Sequence, residues 1–299
     1  MAMLMRALEE DEPAARVLLA SLAPRLGRAF VVGLTGAPGA GKSTLVDALL
    51  TGFRAQGRKV GVVAVDPSSP LSGGALLGDR VRMQRHALDA GVFIRSLASR
   101  GNPGGLSRAT EDVVDVLDAA GFDVVLVETV GVGQDEMAVV GVADLTLVLT
   151  VPGLGDGVQA LKSGLLEVAD VLVVNKSDKD GADRTHADLQ TMLALRGVGK
   201  QDVPIVRTDA VQGSGVEELR LLIEAAAARS DAHTRRERRA KRAAARLRES
   251  VLREVAGRLD AAADSRGGWA TLLQETATSG VPVVERLLAQ VAQDPRRPT

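Results

Sequence analysis

From residue 29 to residue 208 the chain repeats one rhythm. Short apolar runs of strand length alternate with longer amphipathic stretches. The runs are AFVVGLT (29–35), KVGVVAV (59–65), VFI (92–94), DVVLVE (123–128), LTLVLTV (145–151), VLVVN (171–175) and PIVRT (204–208). Unbroken Val/Leu runs, without in–out alternation, predict strands covered on both faces, as in a parallel sheet packed between helices. Strand alternating with helix predicts a doubly wound α/β domain. Ahead of it, Ala15, Leu18, Leu19 and Leu22 share one helical stripe, so a short helix over 14–23 is expected, ended by Pro24. After residue 216 the strand runs cease. Residues 216–260 read as continuous helix, with Val251, Val255 and Leu259 on one stripe. Gly267-Gly268 breaks it, a last helix is expected over 269–291, and DPRRPT is expected to fray. The expected organisation is an N-terminal helical extension (1–28), an α/β nucleotide-binding domain (29–228) and a C-terminal helical arm (229–299).

Composition narrows the picture. The 299 residues are 45% hydrophobic but only 2% aromatic, so the core is built from Val, Leu and Ala. A net charge of −1 offers no global attraction to nucleic acid or an anionic membrane. The absence of cysteine excludes disulfides, thiolate metal sites and Cys nucleophiles. The opening MAMLMRALEEDE turns acidic too early for a secretory leader, and the apolar runs are too short to span a bilayer, so a soluble cytoplasmic protein is expected. Eight Arg or Lys against one Glu lie between 234 and 248. This is a solvated helix face or a docking arm. It lacks the aromatics of a nucleic-acid platform.

Residues 36–43, GAPGAGKS, complete the pattern G-x-x-x-x-G-K-S between a strand and a helix. Gly36, Gly39 and Gly41 let the backbone curl so that N–H groups, including that of Ala40, point at phosphate oxygens. The helix beginning near Lys42 adds its positive dipole end. Lys42 is expected on the β- and γ-phosphates, Ser43 on Mg²⁺ and Thr44 near the α-phosphate.

The base is read farther on. NKSD (175–178) closes the run VLVVN. Asp178 would accept two hydrogen bonds from guanine N1–H and N2–H₂, a donor pair that adenine lacks. Lys176 would lay its stem over the base, and Asn175 would tie this loop to the phosphate loop. In RTDAVQGSGV (207–216) an N–H near Ala210 is placed to meet the guanine oxygen. GTP is the expected ligand.

Three acids are candidates for the metal side. Asp66 closes KVGVVAV and opens DPSSPLSGGALLGDR, Asp79 lies at the end of that stretch, and Glu128 tips the run before T-V-G. Convergence of Asp66, Asp79 and Glu128 beside Ser43 would need a cation to offset their repulsion. Asp79 has a second reading, as a helix cap. The T-V-G after Glu128 reads as a second phosphate-sensing segment, with Gly131 expected at the nucleotide, but no glutamine follows Gly131; Gln134 comes three residues later. Slow intrinsic hydrolysis, raised by a partner, is therefore expected. Two further loops, 96–110 and 152–170, read equally as partner-facing loops or as connectors.

Taken in order, GAPGAGKST, DPSSPLSGGALLGDRVRM, FIR…GGLSRAT, VETVGVGQDE and PGLGDGVQALKSGLLEVADVLVVNKSD resemble the MeaB/ArgK family of GTPases associated with methylmalonyl-CoA mutase. The resemblance spans about residues 25–225 and continues loosely along the basic helix. It implies a homodimeric P-loop GTPase that binds an adenosylcobalamin-dependent acyl-CoA mutase, gates cofactor loading by GTP hydrolysis and protects the mutase. It implies Lys42, Ser43, Asp66, Asp79 and Glu128 at Mg²⁺ and phosphate, with Lys42, Glu128 and Asp66 as the catalytic set. Asn175, Lys176 and Asp178 would read guanine. It also makes the 152–163 loop a further switch facing the mutase, the basic helix a dimerisation arm, and Glu128 this family's own acid in place of the commoner aspartate. The N-terminal extension looks shorter than is usual in the family. A nickel-insertion factor on the same fold would carry Cys or His clusters, whereas His86, His186 and His233 are scattered. A P-loop kinase would need an acceptor site, and none is legible.

Overall fold

The computed structural model describes residues 1–10, 12–66, 84–98, 105–129, 135–153, 164–195 and 203–279. Seven strands form one sheet: β1 (Phe30–Gly36), β2 (Val60–Asp66), β3 (Val92–Ala98), β4 (Val124–Thr129), β5 (Leu145–Thr150), β6 (Val171–Asn175) and β7 (Ile205–Thr208). Their order is β3-β2-β4-β1-β5-β6-β7, and every pairing is parallel. Alternate residues of each strand face opposite sides. Phe30, Val32 and Leu34 of β1 pack with Leu45, Leu49 and Phe53 of α3 (Lys42–Ala55) and with Leu219 and Ile223 of the later helix over Val216–Arg229. Val31 of β1 faces the other layer. There it meets Met5 and Leu8 of α1 (Ala2–Glu9) and Val113 and Leu117 of α4 (Gly105–Ala119). The doubly wound α/β architecture expected from the Val-rich runs is the one observed.

The remaining helices are α2 (Pro13–Ser21), α5 (Asp135–Val142), the single turn α6 (Leu165–Val168), α7 (Ala182–Ala194), α8 (Val216–Arg229), α9 (Ala232–Asp264) and α10 (Gly268–Ser279). The molecule divides into two compact units, Met1–Arg236 and Glu237–Thr299. In the second, Ala262, Ala263 and Leu272 pack together, and Trp269 Nε1 donates to Asp260 Oδ1 at 2.9 Å. Among the described residues no helix is long and apolar enough to cross a membrane.

Three departures from the expected elements have local causes. The expected strand 92–94 extends to Ala98. This edge strand is tied to α1 by Arg95, whose Nε donates to Glu9 Oε1 at 2.6 Å, so its polar residues are supported without Val-rich packing. Helix α1 itself was not foreseen, yet Met5 is fully buried on it. The single helix expected over 216–260 is broken at Ser230, which is extended, and Asp231 caps a new helix by accepting the Thr234 N–H at 2.6 Å.

One junction closes the first unit. Asp118 of α4 accepts the N–H groups of Gly27, Arg28 and Ala29 at 2.5, 3.0 and 2.7 Å, just ahead of β1. The carbonyls of the same turn face the start of α9. Arg235 Nε donates to Gly27 O at 3.1 Å, and Arg236 Nε to Leu26 O at 3.0 Å.

Candidate nucleotide site

The site lies at the C-terminal ends of β1, β4 and β6, where parallel α/β sheets bind ligands. Gly36 ends β1 with φ 137°, and a Cβ there would stand 2.1 Å from Leu149 O on β5. The chain then loops into α3. Lys42 is buried and lies across the loop, its Nζ donating to Gly36 O at 2.7 Å and Ala37 O at 3.0 Å. A cation is thus held among backbone groups at the positive end of a helix, an arrangement that suits a polyphosphate. Gly39 has φ 75°, with nothing within 4 Å of an added Cβ, so the loop is open there. Ala40 is fully buried, and Thr44 is half-buried in the first turn of α3.

The base side is joined to this loop by one side chain. Asn175, buried at the end of β6, donates from Nδ2 to Ala40 O at 2.8 Å. Its Oδ1 accepts from Thr208 Oγ1 at 3.0 Å and from the Ala210 N–H at 3.2 Å. Asn175 therefore links the phosphate loop to the end of β7. The Ala210 N–H, expected to face the guanine oxygen, is here directed to Asn175 Oδ1. Lys176 follows with φ 56°, a left-handed conformation rare outside glycine and a frequent mark of functional sites. Its stem passes the loop, with Cε 3.9 Å from an added Gly41 Cβ. The Asp178 side chain is 45% exposed beside Lys179 Nζ at 3.5 Å, and so is open to a ligand.

The fit between the two loops is close enough to test. A Cβ on Gly41, where φ is 87°, would lie 2.5 Å from Asn175 Nδ2. Gly41→Ala should therefore push Asn175 off Ala40 O. It should lower stability by about 1–3 kcal/mol and abolish tight nucleotide binding, as read by thermal unfolding and by titration with a fluorescent GDP.

At the opposite end, Ser43 Oγ donates to Glu128 Oε1 at 2.6 Å. Glu128 is buried on β4, level with Leu34 of β1 and Ala64 of β2. Asp66 ends β2 by its backbone, in register with Ala98; its side chain lies outside what the structure describes. Asp79 and Gly131 also lie outside the described residues, as does most of the 152–163 loop. Among the described residues no group of three or more His, Cys, Asp or Glu could hold a metal ion. The structure thus brings together Lys42, Ser43 and Glu128 on one side and Ala40, Gly41, Asn175, Lys176 and Ala210 on the other.

Sequence reasoning passed over Thr208, whose buried hydroxyl orients Asn175, and Asp209, whose Oδ1 accepts the Val211 and Gln212 N–H groups at 2.9 and 3.0 Å. The R-T-D-A stretch carried the signal, because Thr and Asp at a strand end are turn-forming acceptors.

A parallel sheet with a Gly-Lys-Ser loop after its central strand, and an Asn-Lys-x-Asp loop bonded to it, defines a P-loop nucleotide-binding protein of the GTPase type. The family model for "Methylmalonyl Co-A mutase-associated GTPase MeaB" matches residues 1–264, and the chain belongs to that family. A putative GTPase of Pyrococcus abyssi is 52% identical over 222 residues, covering 73% of this chain and 68% of that protein. The GTPase ArgK of Escherichia coli is 42% identical over 207 residues, 68% of this chain and 62% of its own length. Among solved structures, one described as a LAO/AO transport system kinase superposes with a TM-score of 0.67 at 28% identity, covering 98% of this chain and 91% of that one. Membership brings guanine-nucleotide binding and GTPase activity as the properties of the family.

Proposed function

We propose that this protein binds GTP with Mg²⁺, hydrolyses it slowly alone, and acts as the G-protein chaperone of an adenosylcobalamin-dependent acyl-CoA mutase such as methylmalonyl-CoA mutase. The observation that carries the nucleotide assignment is Asn175, which bonds the phosphate loop through Ala40 and the base side through Thr208 and Ala210. One substrate with a polyphosphate at one end and a base at the other fits two loops joined in this way. The mutase assignment is supported by the family's own description.

In this reading Lys42 neutralises charge on the β- and γ-phosphates, while backbone N–H groups of 36–43 hold the phosphate oxygens. These are positioning and electrostatic roles, the main contributions a protein makes to phosphoryl transfer. Asp178 selects guanine and Lys176 covers it. The metal side fits in its donor chemistry, because a hydroxyl and a carboxylate are hard oxygen ligands of the kind Mg²⁺ takes a few of, leaving the rest to phosphate and water. Ser43 and Glu128 would hold the ion, with Asp66 and Asp79 completing the set, and bound Mg²⁺ would supply neutralisation of the phosphate charge. Residues 229–299 would form the arm through which two copies dimerise, in the cytoplasm.

The deciding measurement is GTP turnover by the purified protein, alone and with a cobalamin-dependent acyl-CoA mutase from the same cell. Slow turnover alone, raised at least tenfold by the mutase, is the expected outcome. Equal rates in the two samples, with no complex formed, would remove the chaperone role and leave an unassigned GTPase.

A further inference from the structure

Helix α3 carries Lys42 and Ser43, and it also presents a polar seam that the nucleotide site does not use. Counting from Ser43 by the spacing that stacks side chains on one helix face leads to Asp47 and Thr51. The far side of the helix, with Leu45, Leu49 and Phe53, is in the core. The chain that leaves β2 at Asp66 returns to this seam at residues 84–86, before entering β3. Arg85 donates from Nε to Asp47 Oδ1 at 3.1 Å and from Nη2 to Asp47 Oδ2 at 2.5 Å. The same Nη2 lies 2.9 Å from Thr51 Oγ1, so one guanidinium bridges residues one turn apart on α3. His86 Nε2 adds a contact to Asp47 Oδ1 at 3.0 Å.

Asp47 and His86 are the more buried members of this cluster, with side chains 20% and 11% exposed, against 55% for that of Arg85. An ion pair so open to water contributes little to folding. Its geometry is more specific than its energy, because a two-point guanidinium–carboxylate contact sets orientation as well as distance. A second pair lower on the helix, Arg54 with Asp89 at 2.8 Å through two bonds, already fastens the segment before β3 to α3. Asp47 lies one helical turn from Ser43, whose hydroxyl meets Glu128.

We infer that Asp47 is a positioning residue for GTP hydrolysis. Through Arg85 and His86 it fixes where the chain coming from Asp66 rejoins α3, within one turn of Ser43. It touches neither base nor phosphate, and it acts through the turn of α3 that joins it to Ser43. The inference rests on the GTPase reading above.

The test uses the full chain as wild type, Asp47→Asn, Arg85→Gln, the double variant, and Asp89→Asn as a control on the other tether. Fluorescent GDP affinity, kcat, KM, the Mg²⁺ concentration for half-maximal turnover, and Tm are measured for each. Asp47→Asn should keep GDP affinity and KM within about twofold, while kcat falls about tenfold and the Mg²⁺ requirement rises. Arg85→Gln should change kcat in the same direction, and the double variant should be no worse than Asp47→Asn, since that substitution already removes the carboxylate that Arg85 and His86 both contact. Asp89→Asn should lower Tm and leave kcat and the Mg²⁺ requirement unchanged. Wild-type kcat and Mg²⁺ dependence in Asp47→Asn would overturn the inference alone, as would an equal kcat loss in Asp89→Asn. A wild type that turns over no GTP would overturn the GTPase reading, and the inference with it.

Discussion

Lys42→Ala should lower kcat/KM for GTP by about a thousandfold while leaving the fold intact. Lys42 is buried, and its ammonium is held between Gly36 O and Ala37 O, at the start of α3. No other cationic side chain lies in the 36–43 loop, so the variant has no neighbour there to replace its charge. In the proposed site the charge would oppose what builds on the β- and γ-phosphates during transfer, and a donor fixed in a partly desolvated site contributes more than one in water. Alanine leaves the helix propensity of this position satisfied, so Tm should move by only a few degrees. Single-turnover assays with nucleotide well above Kd separate this loss from a binding defect. Retained hydrolysis would mean that the loop at 36–43 is not the phosphate site.

Asp178→Asn should weaken GTP binding by about a hundredfold or more and bring in xanthosine triphosphate in its place. In the proposed site the aspartate would offer two acceptor oxygens to guanine N1–H and N2–H₂. Asparagine replaces one acceptor with a donor, which is unpaired against guanine and suits the C2 carbonyl of xanthine. The side chain is 45% exposed, and its ion pair with Lys179 at 3.5 Å is on the surface, so the exchange costs the fold little. Competition of GTP and xanthosine triphosphate against a fluorescent nucleotide reads the switch directly. Unchanged guanine preference would take Asp178 out of the site.

What could be read in advance follows from the range of the interactions. β1, β4, β5 and β6 are buried along their whole length, and burial on both faces writes itself into a sequence as continuous Val and Leu. β3 lies at the sheet edge and carries Arg95 and Ser96, so its second half left no apolar signature. The break at Ser230 depended on a single carboxylate cap inside a sequence of good helix formers. At the site, Gly36, Gly41, Lys42 and Asn175 belong to short motifs whose chemistry dictates their spacing. That Asn175 would reach the phosphate loop came with the motif; which atoms it meets, Ala40 O, Thr208 Oγ1 and the Ala210 N–H, did not. The bond from Asn175 to Ala40 joins positions 135 residues apart, and Arg85 meets Asp47 across 38. No local periodicity encodes such pairs; they arise only once the parallel sheet has set α3 beside the return of the chain.

The turn ahead of β1 bears on where this chain can be divided. Its N–H groups belong to Asp118 and two of its carbonyls to Arg235 and Arg236, which stand more than 200 residues away in sequence. The strand that delivers the phosphate loop therefore begins at a knot tied by residues from the far side of the domain. A shortened protein ending at 230 would release Leu26 O and Gly27 O from their guanidinium donors and loosen the root of β1. One ending after 236 would keep the knot whole. The natural seam for an isolated nucleotide-binding unit lies past the second arginine, one turn into the basic helix.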